Sequence, residues 1–322
     1  MLSFEQILEK VNAQLDALKY PTAPRGLYEP IRYVLSMGGK RIRPVLLLLT
    51  YSLYRDDNLE QAMPAALGIE TYHNYTLLHD DLMDKAPIRR GKPTVHKVWN
   101  DSTAILSGDT MLILAYRLMQ QCNRTDVLQL FTRTAIEIGE GQQYDMNFEN
   151  RMDVTEAEYI EMIRLKTSVL LACAAKMGAM LGQAPEADAE QLYHFAEQLG
   201  LAFQLQDDYL DVYGDPAVFG KKIGGDILCD KKTYLLINAW LRADETTREE
   251  LTRWMGCPAD MAAQKIQAVT AIYNRLDIPQ LCQQTIDNFF EQARHTLSQI
   301  NLPAEKQEQL WKYARTLLHR NK

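Results

Sequence analysis

Two short acidic motifs carry the strongest chemical signal in this chain. Residues 80–84 (DDLMD) and 207–211 (DDYLD) share the spacing D-D-x-x-D. On an α-helix the first and last aspartates of this spacing are four residues apart and lie on one face. Carboxylates at that separation repel each other unless a divalent cation lies between them. Mg²⁺ suits such a site, because it binds one or two carboxylates and takes other ligands from water and phosphates. Two such helix faces would hold one diphosphate between them.

The simpler interpretation of one acidic cluster is a solvated helix surface, and the flanking residues argue against it. Leu77 and Leu78 precede the first motif, and Leu201 and Leu205 precede the second. Both motifs therefore follow segments patterned for burial. Neither has the alternating ligands and central glycine of a calcium-binding EF-hand loop.

Length and composition narrow the classes of protein further. The chain has 322 residues and a net charge of -7. We find no Gly/Ser tract, Pro-rich run or internal repeat apart from the acidic motif, which favours one continuous domain over residues 1–322. The negative charge argues against nucleic acid or an anionic membrane as the main partner.

Cysteine usage and hydropathy favour a cytoplasmic protein. The five cysteines are scattered and lack C-x-x-C spacing, so we expect neither a disulfide framework nor a zinc site. Residues 4–18 form an amphipathic segment rather than a secretion signal. The apolar run 45–49 is too short to span a bilayer.

Helical periodicity dominates the sequence and predicts an all-α fold. Pro44 is expected at a first helical position, Thr155 with Glu158 forms a capping box, and Gly182 and Gly214 end helices. Residues 102–119 and 168–181 are apolar around most of their circumference, so we expect other helices to surround them. The main loop is 214–232. Helices are predicted over 4–19, 27–37, 44–55, 59–84, 102–121, 126–148, 156–181, 187–213 and in shorter segments from 233 onwards.

Clusters of basic residues near glycines or helix starts complement the carboxylates. Arginine binds phosphate with two hydrogen bonds and lysine acts as a point charge, while a helix amino end adds a positive dipole. None of the clusters is a P-loop. Together with two acidic metal sites, they indicate two anionic substrates, one bound through metal and one through cations alone. The clusters lie at 38–44 (GGKRIRP), 89–93 (RRGKP), 166–167 (KT), 221–222 (KK) and 231–232 (KK).

The order of these motifs resembles that of the trans-isoprenyl diphosphate synthases, the polyprenyl synthetase family, from about residue 30 to residue 240. That resemblance implies an isoprenoid synthase fold, an orthogonal bundle of antiparallel helices around a deep central cavity. It also implies a homodimer. The motifs that carry it are GGKRIRP, LLHDDLMD, RRGKPTVH, SGD at 107–109, EGQ at 140–142, LKT at 165–167 and FQLQDDYLD.

The resemblance also assigns roles to residues. It implies that Asp80, Asp84 and Asp207 bind three Mg²⁺ ions, with Asp81 and Asp211 acting as secondary ligands or through water. Asp208, within the second motif, is also predicted to be a catalytic residue. The family's contacts to the allylic diphosphate match Arg89, Lys166, Lys221 and Lys231, with Lys232 as the alternative to Lys231. Its contacts to isopentenyl diphosphate match Lys40, Arg43, His73 and Arg90, although His73 could instead be a core histidine.

The implied reaction is head-to-tail condensation of isopentenyl diphosphate with dimethylallyl, geranyl or farnesyl diphosphate. The allylic C–O bond ionises, because metal ions and cations stabilise the leaving diphosphate. The isopentenyl double bond attacks the carbocation, and the released diphosphate takes the proton, so no protein base is required. Thr167 and Gln204 match residues that stabilise the cation through their dipoles, and apolar walls exclude water.

Residues before the first motif bear on product length. Tyr75 lies five residues before Asp80 and Tyr72 eight before it, so both are expected below the diphosphate where the product grows. Thr76 is small where the animal farnesyl type has an aromatic residue. We therefore expect a C20 product, with C15 as the alternative. Core packing or a dimer contact is the other interpretation of Tyr72.

Two other functions compete with a synthase. A terpene cyclase would share the fold and the first motif, but it normally replaces the second motif with an Asn/Ser/Glu triad. A catalytically silent partner subunit typically loses part of an aspartate motif. Both motifs are complete here.

Overall fold

The computed structural model describes residues 2–55, 57–215 and 223–318. Helices account for most of this part of the chain, which confirms the all-α prediction. The extended segments described are β1 (Ile88–Arg89) and β2 (Lys92–Pro93), which pair antiparallel in a short hairpin. The helices are α1 (Phe4–Asp16), α2 (Arg25–Ser36), α3 (Ile42–Tyr54), α4 (Met63–Met83), α5 (Val95–Val98), α6 (Asp101–Gln120), α7 (Thr125–Phe148), α8 (Glu156–Ile163), α9 (Val169–Leu181), α10 (Glu186–Tyr213), α11 (Gly225–Leu228), α12 (Tyr234–Arg242), α13 (Glu245–Trp254), α14 (Ala262–Arg275), α15 (Ile278–Ser298) and α16 (Ala304–Leu318).

The chain forms two compact units. Unit 1 contains residues 1–132 and 173–190, and unit 2 contains residues 133–172 and 191–322. The first aspartate motif belongs to unit 1 and the second to unit 2. One continuous domain over 1–322 remains a prediction.

In unit 1 the long helix α4 packs against α6 and α3. A Cβ added to Gly108 on α6 would lie 2.2 Å from the His79 ring, so glycine is needed for the close approach of α4 and α6. A Cβ on Gly178 would lie 2.0 Å from the backbone oxygen of Leu47 on α3. Glycines thus allow the close approach of α6 to α4 and of α9 to α3 in unit 1.

The prediction that other helices surround residues 102–119 and 168–181 is wrong for the first segment and confirmed for the second. Helix α9 is buried over most of its length, as expected. Helix α6, in contrast, has an exposed apolar face, with Ile105 49%, Leu106 59% and Ile113 67% exposed. Apolar residues around the whole helix therefore do not imply that this chain alone surrounds it.

The run 156–181, predicted as one helix, is not one α-helix. A π-helical segment (Arg164–Ser168) separates α8 from α9. A Cβ on Gly141 would lie 2.4 Å from the backbone nitrogen of Lys166, and one on Gly200 would lie 2.8 Å from the Cα of Ser168. Helices α7 and α10 therefore approach this segment at glycines. Such π segments frequently occur at functional sites because they redirect side chains.

Several predicted boundaries shift. Helix α3 begins at Ile42 rather than Pro44, because Arg41 adopts a left-handed conformation with φ 48° and caps it. The segment 59–84 is divided into a 3₁₀ turn (Leu59–Gln61) and α4. The described part of loop 214–232 contains α11. The capping box at Thr155 and the stops at Gly182 and Gly214 are confirmed.

The five cysteines are free thiols. Within the three described ranges, the search for a helix with the length and hydropathy of a bilayer span finds none.

Candidate active site

The first aspartate motif lies at the carboxyl end of α4. Asp80 is partly buried, Asp81 is buried and Asp84 is the exposed residue that caps the helix. The aligned peptide dipoles place negative potential at this end, which adds to the charge of the carboxylates. A cation bound there is stabilised by both. The assignment of these aspartates to metal binding remains a prediction, and the electrostatics favour it.

Arg89, on β1, is tethered to this motif. Its Nε lies 2.8 and 2.7 Å from the two carboxylate oxygens of Asp81, and an Nη lies 3.8 Å from Asp80. Burial raises the pKa of Asp81, and the hydrogen bond from Arg89 opposes that shift. The pair therefore holds a guanidinium beside the first motif, where an anionic ligand would need it.

A cationic cluster forms where the GGKRIRP loop meets α4 and the β hairpin. Arg43 Nη1 lies 3.1 Å from His73 Nε2. Burial, with the charges of Arg43 and Arg90, lowers the pKa of His73 well below its ordinary value. The imidazole is therefore neutral at pH 7 and accepts a hydrogen bond from Arg43. His73 thus lies within the cationic cluster, and its contact with isopentenyl diphosphate remains a prediction.

Arg90 packs directly on the glycines of this loop. It donates to the backbone oxygen of Gly38. A Cβ on Gly39, where φ is +133°, would lie 2.8 Å from the guanidinium carbon. Lys40 is exposed next to it. Arg43, His73 and Arg90 therefore lie at or against the GGKRIRP loop, with Lys40 next to them. These are the four predicted contacts to isopentenyl diphosphate.

The second aspartate motif lies in the last two turns of α10, again at the negative end of a helix dipole. Asp207 and Asp211 are partly buried and Asp208 is buried. Asp211 Oδ2 accepts from the backbone nitrogen of Asp226 at 2.9 Å, which ties the start of α11 to α10.

Asp208 belongs to a hydrogen-bond network that runs to the π segment. Tyr159 donates to its Oδ2, and Gln204 Nε2 donates to its Oδ1 at 3.0 Å. Thr167 Oγ1 in turn donates to Gln204 Oε1 at 3.1 Å. Burial, together with the charge of Asp226, raises the pKa of Asp208 to about 7. This aspartate therefore supports Gln204 and Thr167.

The lysines of unit 2 have distinct partners. Lys166 Nζ lies 2.6 Å from Asp145 Oδ2. Burial opposes ionisation of Asp145, but the charges of Lys231 and Lys166 together lower its pKa. Lys232 is 8% exposed and donates to the backbone oxygens of Glu149 and Asp230 at 3.3 and 3.1 Å. These contacts favour Lys231 over Lys232 as a ligand contact.

The remaining predicted site residues are Lys221 and the residues of α4 expected to set product length. Lys221 lies outside the described residues. Tyr72 is 3% exposed, with its ring 5.4 Å from that of Tyr75 and 5.1 Å from that of Phe131. Thr76 Oγ1 donates to the backbone oxygen of His73 at 2.8 Å. An aromatic cluster thus lies along α4 on the amino side of the first motif.

Several polar residues that hold the site together were not predicted from the sequence. Asp145 lies three residues after EGQ, and Tyr159 precedes LKT, so proximity to the motifs was an available signal for both. Glu70 and Asn74 lie within the apolar part of α4, where an unpaired acid would be unfavourable. That conflict was the signal for a buried network.

In the described part of the chain, no group of three or more His, Cys, Asp or Glu side chains is arranged as a metal site. The donor set nevertheless suits Mg²⁺, which needs only one or two carboxylates per ion when water and phosphate complete its shell. Asp80 and Asp84, or Asp207 and Asp211, supply that number from one helix each.

Comparison with known proteins decides the family. The polyprenyl synthetase model matches residues 24–274. This chain belongs to the polyprenyl synthetase family. It is 43% identical over 235 residues to a geranylgeranyl diphosphate synthase of Methanosarcina mazei, covering 71% of this chain and 72% of the relative. It is 41% identical over 260 residues to a short chain isoprenyl diphosphate synthase of Methanocaldococcus jannaschii, covering 80% and 78%.

A solved geranylgeranyl pyrophosphate synthase extends the match to the fold. It superposes with a TM-score of 0.94 over 100% of both chains at 39% identity. The predicted isoprenoid synthase fold and membership of this prenyltransferase family are therefore confirmed.

Proposed function

We propose that this polyprenyl synthetase condenses isopentenyl diphosphate with an allylic diphosphate and that its main product is C20 geranylgeranyl diphosphate. The observation that carries the proposal is the pair of complete aspartate motifs, each at the negative end of a long helix, in a member of this family. Its similarity to a geranylgeranyl diphosphate synthase and to a short chain isoprenyl diphosphate synthase supports the activity and the product class.

The carboxylates of both motifs have one shared task in this proposal. Asp80, Asp84 and Asp207 hold Mg²⁺, with Asp81 and Asp211 as secondary ligands. Bound Mg²⁺ supplies positive charge that stabilises the leaving diphosphate. Three ions are proposed by likeness to the family.

The cations divide between the two substrates. Lys40, Arg43, His73 and Arg90 bind isopentenyl diphosphate. Arg89, Lys166, Lys231 and, outside the described residues, Lys221 bind the allylic diphosphate. Thr167 and Gln204 direct oxygen lone pairs toward the allylic carbocation, and Asp208 supports them. The pairing of Lys166 with Asp145 supports this assignment, since the pair fixes the ammonium beside the π segment.

Product length is set in this proposal by the aromatic residues of α4. Tyr75 and Tyr72 lie one and two helical turns before the first motif, and Phe131 packs on Tyr72. Rings in this position would stop an apolar chain that extends along α4. C15 is the alternative product.

We also propose that the protein is a homodimer and cytoplasmic. The apolar face of α6, formed by Ile105, Leu106 and Ile113, supports a second copy as the partner because exposed apolar patches mark interaction sites. Light scattering should give twice the chain mass. An Ile113→Glu variant should give the monomer mass, and a wild-type monomer would overturn this part of the proposal.

The deciding experiment is mass spectrometry of products. Purified protein is incubated with Mg²⁺, labelled isopentenyl diphosphate and, separately, dimethylallyl, geranyl and farnesyl diphosphates. C20 diphosphate is the expected product, and chelation of Mg²⁺ should abolish it. A cyclised hydrocarbon would establish a terpene cyclase, and no turnover by folded protein would establish a silent subunit.

A matched pair of variants tests the aspartate motif. Asp80→Ala should lower kcat by about 10³-fold or more, because a charge-stabilising contact at the leaving group is lost. Asp16→Ala, at the exposed end of α1, should leave turnover unchanged. Near-normal turnover by Asp80→Ala would reject the metal-binding role.

A further inference from the structure

Glu70 is a buried acid that the proposed chemistry does not use. It lies on α4 with 1% of its surface exposed. Arg41, which is 5% exposed, places Nη1 2.7 Å from Glu70 Oε1. Removing either partner of such a pair would leave the other charge buried and unpaired. The ion pair therefore restrains the backbone at Arg41 relative to the backbone of α4 at Glu70.

Arg41 is a residue of the GGKRIRP loop and anchors its backbone. Its Nη2 donates to the backbone oxygen of Leu35 at 2.7 Å, and its Nε donates to Asn12 Oδ1 at 3.3 Å. Its backbone is left-handed, with φ 48°. The neighbours of Arg41 in this loop are Lys40 and, two residues on, Arg43. Anchoring Arg41 to Glu70 thus fixes the backbone from which both of these cations extend.

Asn74 links the same carboxylate to Arg90. Its Nδ2 donates to Glu70 Oε1 at 3.0 Å and to the backbone oxygen of Glu70 at 2.8 Å. With the amide nitrogen committed to Glu70, the amide oxygen faces Arg90, whose Nη1 lies 3.5 Å away. One carboxylate therefore supports the loop and the arginine that packs on it.

We propose that Glu70 is a positioning residue for the isopentenyl diphosphate site: it holds Lys40 and Arg43 in place through Arg41, and Arg90 through Asn74. It contacts no substrate itself. This inference rests on the proposed function and deepens it, because it assigns one support to one of the two substrates.

The test is the effect of Glu70→Gln on the two KM values. The KM for isopentenyl diphosphate should rise about tenfold or more, because small displacements of positioning groups have large effects. The KM for the allylic diphosphate should stay within about twofold. Glu60→Gln, an exposed glutamate of the same unit, removes the same charge and should change neither value.

Calorimetric binding of isopentenyl diphosphate alone separates this inference from the proposed function. Failure of the wild type to bind or turn over would defeat the proposed function. Normal wild-type behaviour, with both KM values of Glu70→Gln unchanged or raised equally, would overturn only the role of Glu70.

A variant that replaces both charges covers the case in which Glu70→Gln does not fold. Arg41→Met combined with Glu70→Leu removes the buried pair and leaves no unpaired charge. If that double variant folds and binds isopentenyl diphosphate as the wild type does, the inference is wrong. A selective loss of about tenfold or more in that affinity would support it.

Discussion

The hydroxyl group of Tyr159 allows a quantitative test of how the second aspartate motif is supported. Tyr159 is 2% exposed and donates to Asp208, which is 4% exposed. The other close donor to Asp208 is Gln204 Nε2 at 3.0 Å, and the backbone nitrogen of Tyr234 lies 3.5 Å away. Tyr159→Phe removes one oxygen atom and keeps the ring, so the change is confined to this hydrogen bond.

The expected loss of stability depends on pH. The pKa of Asp208 is raised to about 7, so ionising it disfavours the folded state, and stability falls as pH rises from about 4 to 7. Tyr159 opposes that fall because its hydrogen bond favours the carboxylate. Tyr159→Phe should therefore lower the free energy of unfolding by about 1 kcal/mol at pH 5 and by about 2–3 kcal/mol at pH 8.

Thermal unfolding at the two pH values measures this difference. In a chain of this length a loss of 2 kcal/mol lowers Tm by about 3 °C. Tyr51→Phe is the matched control, because Tyr51 is also buried and its hydroxyl donates to the neutral backbone oxygens of Asp57 and Asn58 at 3.2 and 3.1 Å. The control should lose about 1 kcal/mol at both pH values. Equal losses for Tyr159→Phe at pH 5 and pH 8 would refute the account of Asp208.

Three further predictions concern unit 1. Gly39→Ala should raise the isopentenyl diphosphate KM about tenfold, because its Cβ would overlap Arg90; steady-state kinetics should show no change for Gly26→Ala, whose Cβ meets nothing within 4 Å. The lowered pKa of His73 makes protonation favour the unfolded state, so the wild type should lose about 1 kcal/mol of stability through this residue between pH 7 and pH 5.5. His73→Gln should lack that loss. Denaturant unfolding of the variant with the same pH dependence as the wild type would contradict this. Tyr75→Ala should shift the product to longer chains, as measured by mass spectrometry. An unchanged product would show that other residues set the chain length.

Local chemistry was predictable where a single segment determines it. The capping box at Thr155 and the stop at Gly214 follow from neighbouring residues, and the helical class follows from periodicity. The start of α3 was predicted two residues late, because the left-handed conformation of Arg41 is stabilised by a contact with Glu70, 29 residues away. The apolar pattern of α6 predicted a helix surrounded by others, yet Ile105, Leu106 and Ile113 are exposed, because periodicity does not say what packs against a helix.

The supports of the site were less predictable than its motifs. Asp145, Tyr159 and Glu70 each act on a residue that is distant in sequence, and no spacing rule connects them. The π segment was predicted as part of one α-helix, because the apolar residues on either side of it follow a helical pattern. Its signal lies instead in Gly141 and Gly200, whose absent side chains admit the widened turn.

The direction of the hydrogen bonds explains why the second motif includes a buried aspartate that need not bind metal. Above pH 7 the ionised Asp208 only accepts, so the amide nitrogen of Gln204 must face it. The amide oxygen then faces Thr167 and accepts a hydrogen bond from its hydroxyl group. The oxygen lone pairs of Thr167 and Gln204 therefore remain available to a ligand. Lone pairs stabilise a developing carbocation, whereas hydrogen-bond donors would not. Asp208 thus orients the amide of Gln204 beside the π segment, and the hydrogen bond from Tyr159 favours the ionised form of Asp208.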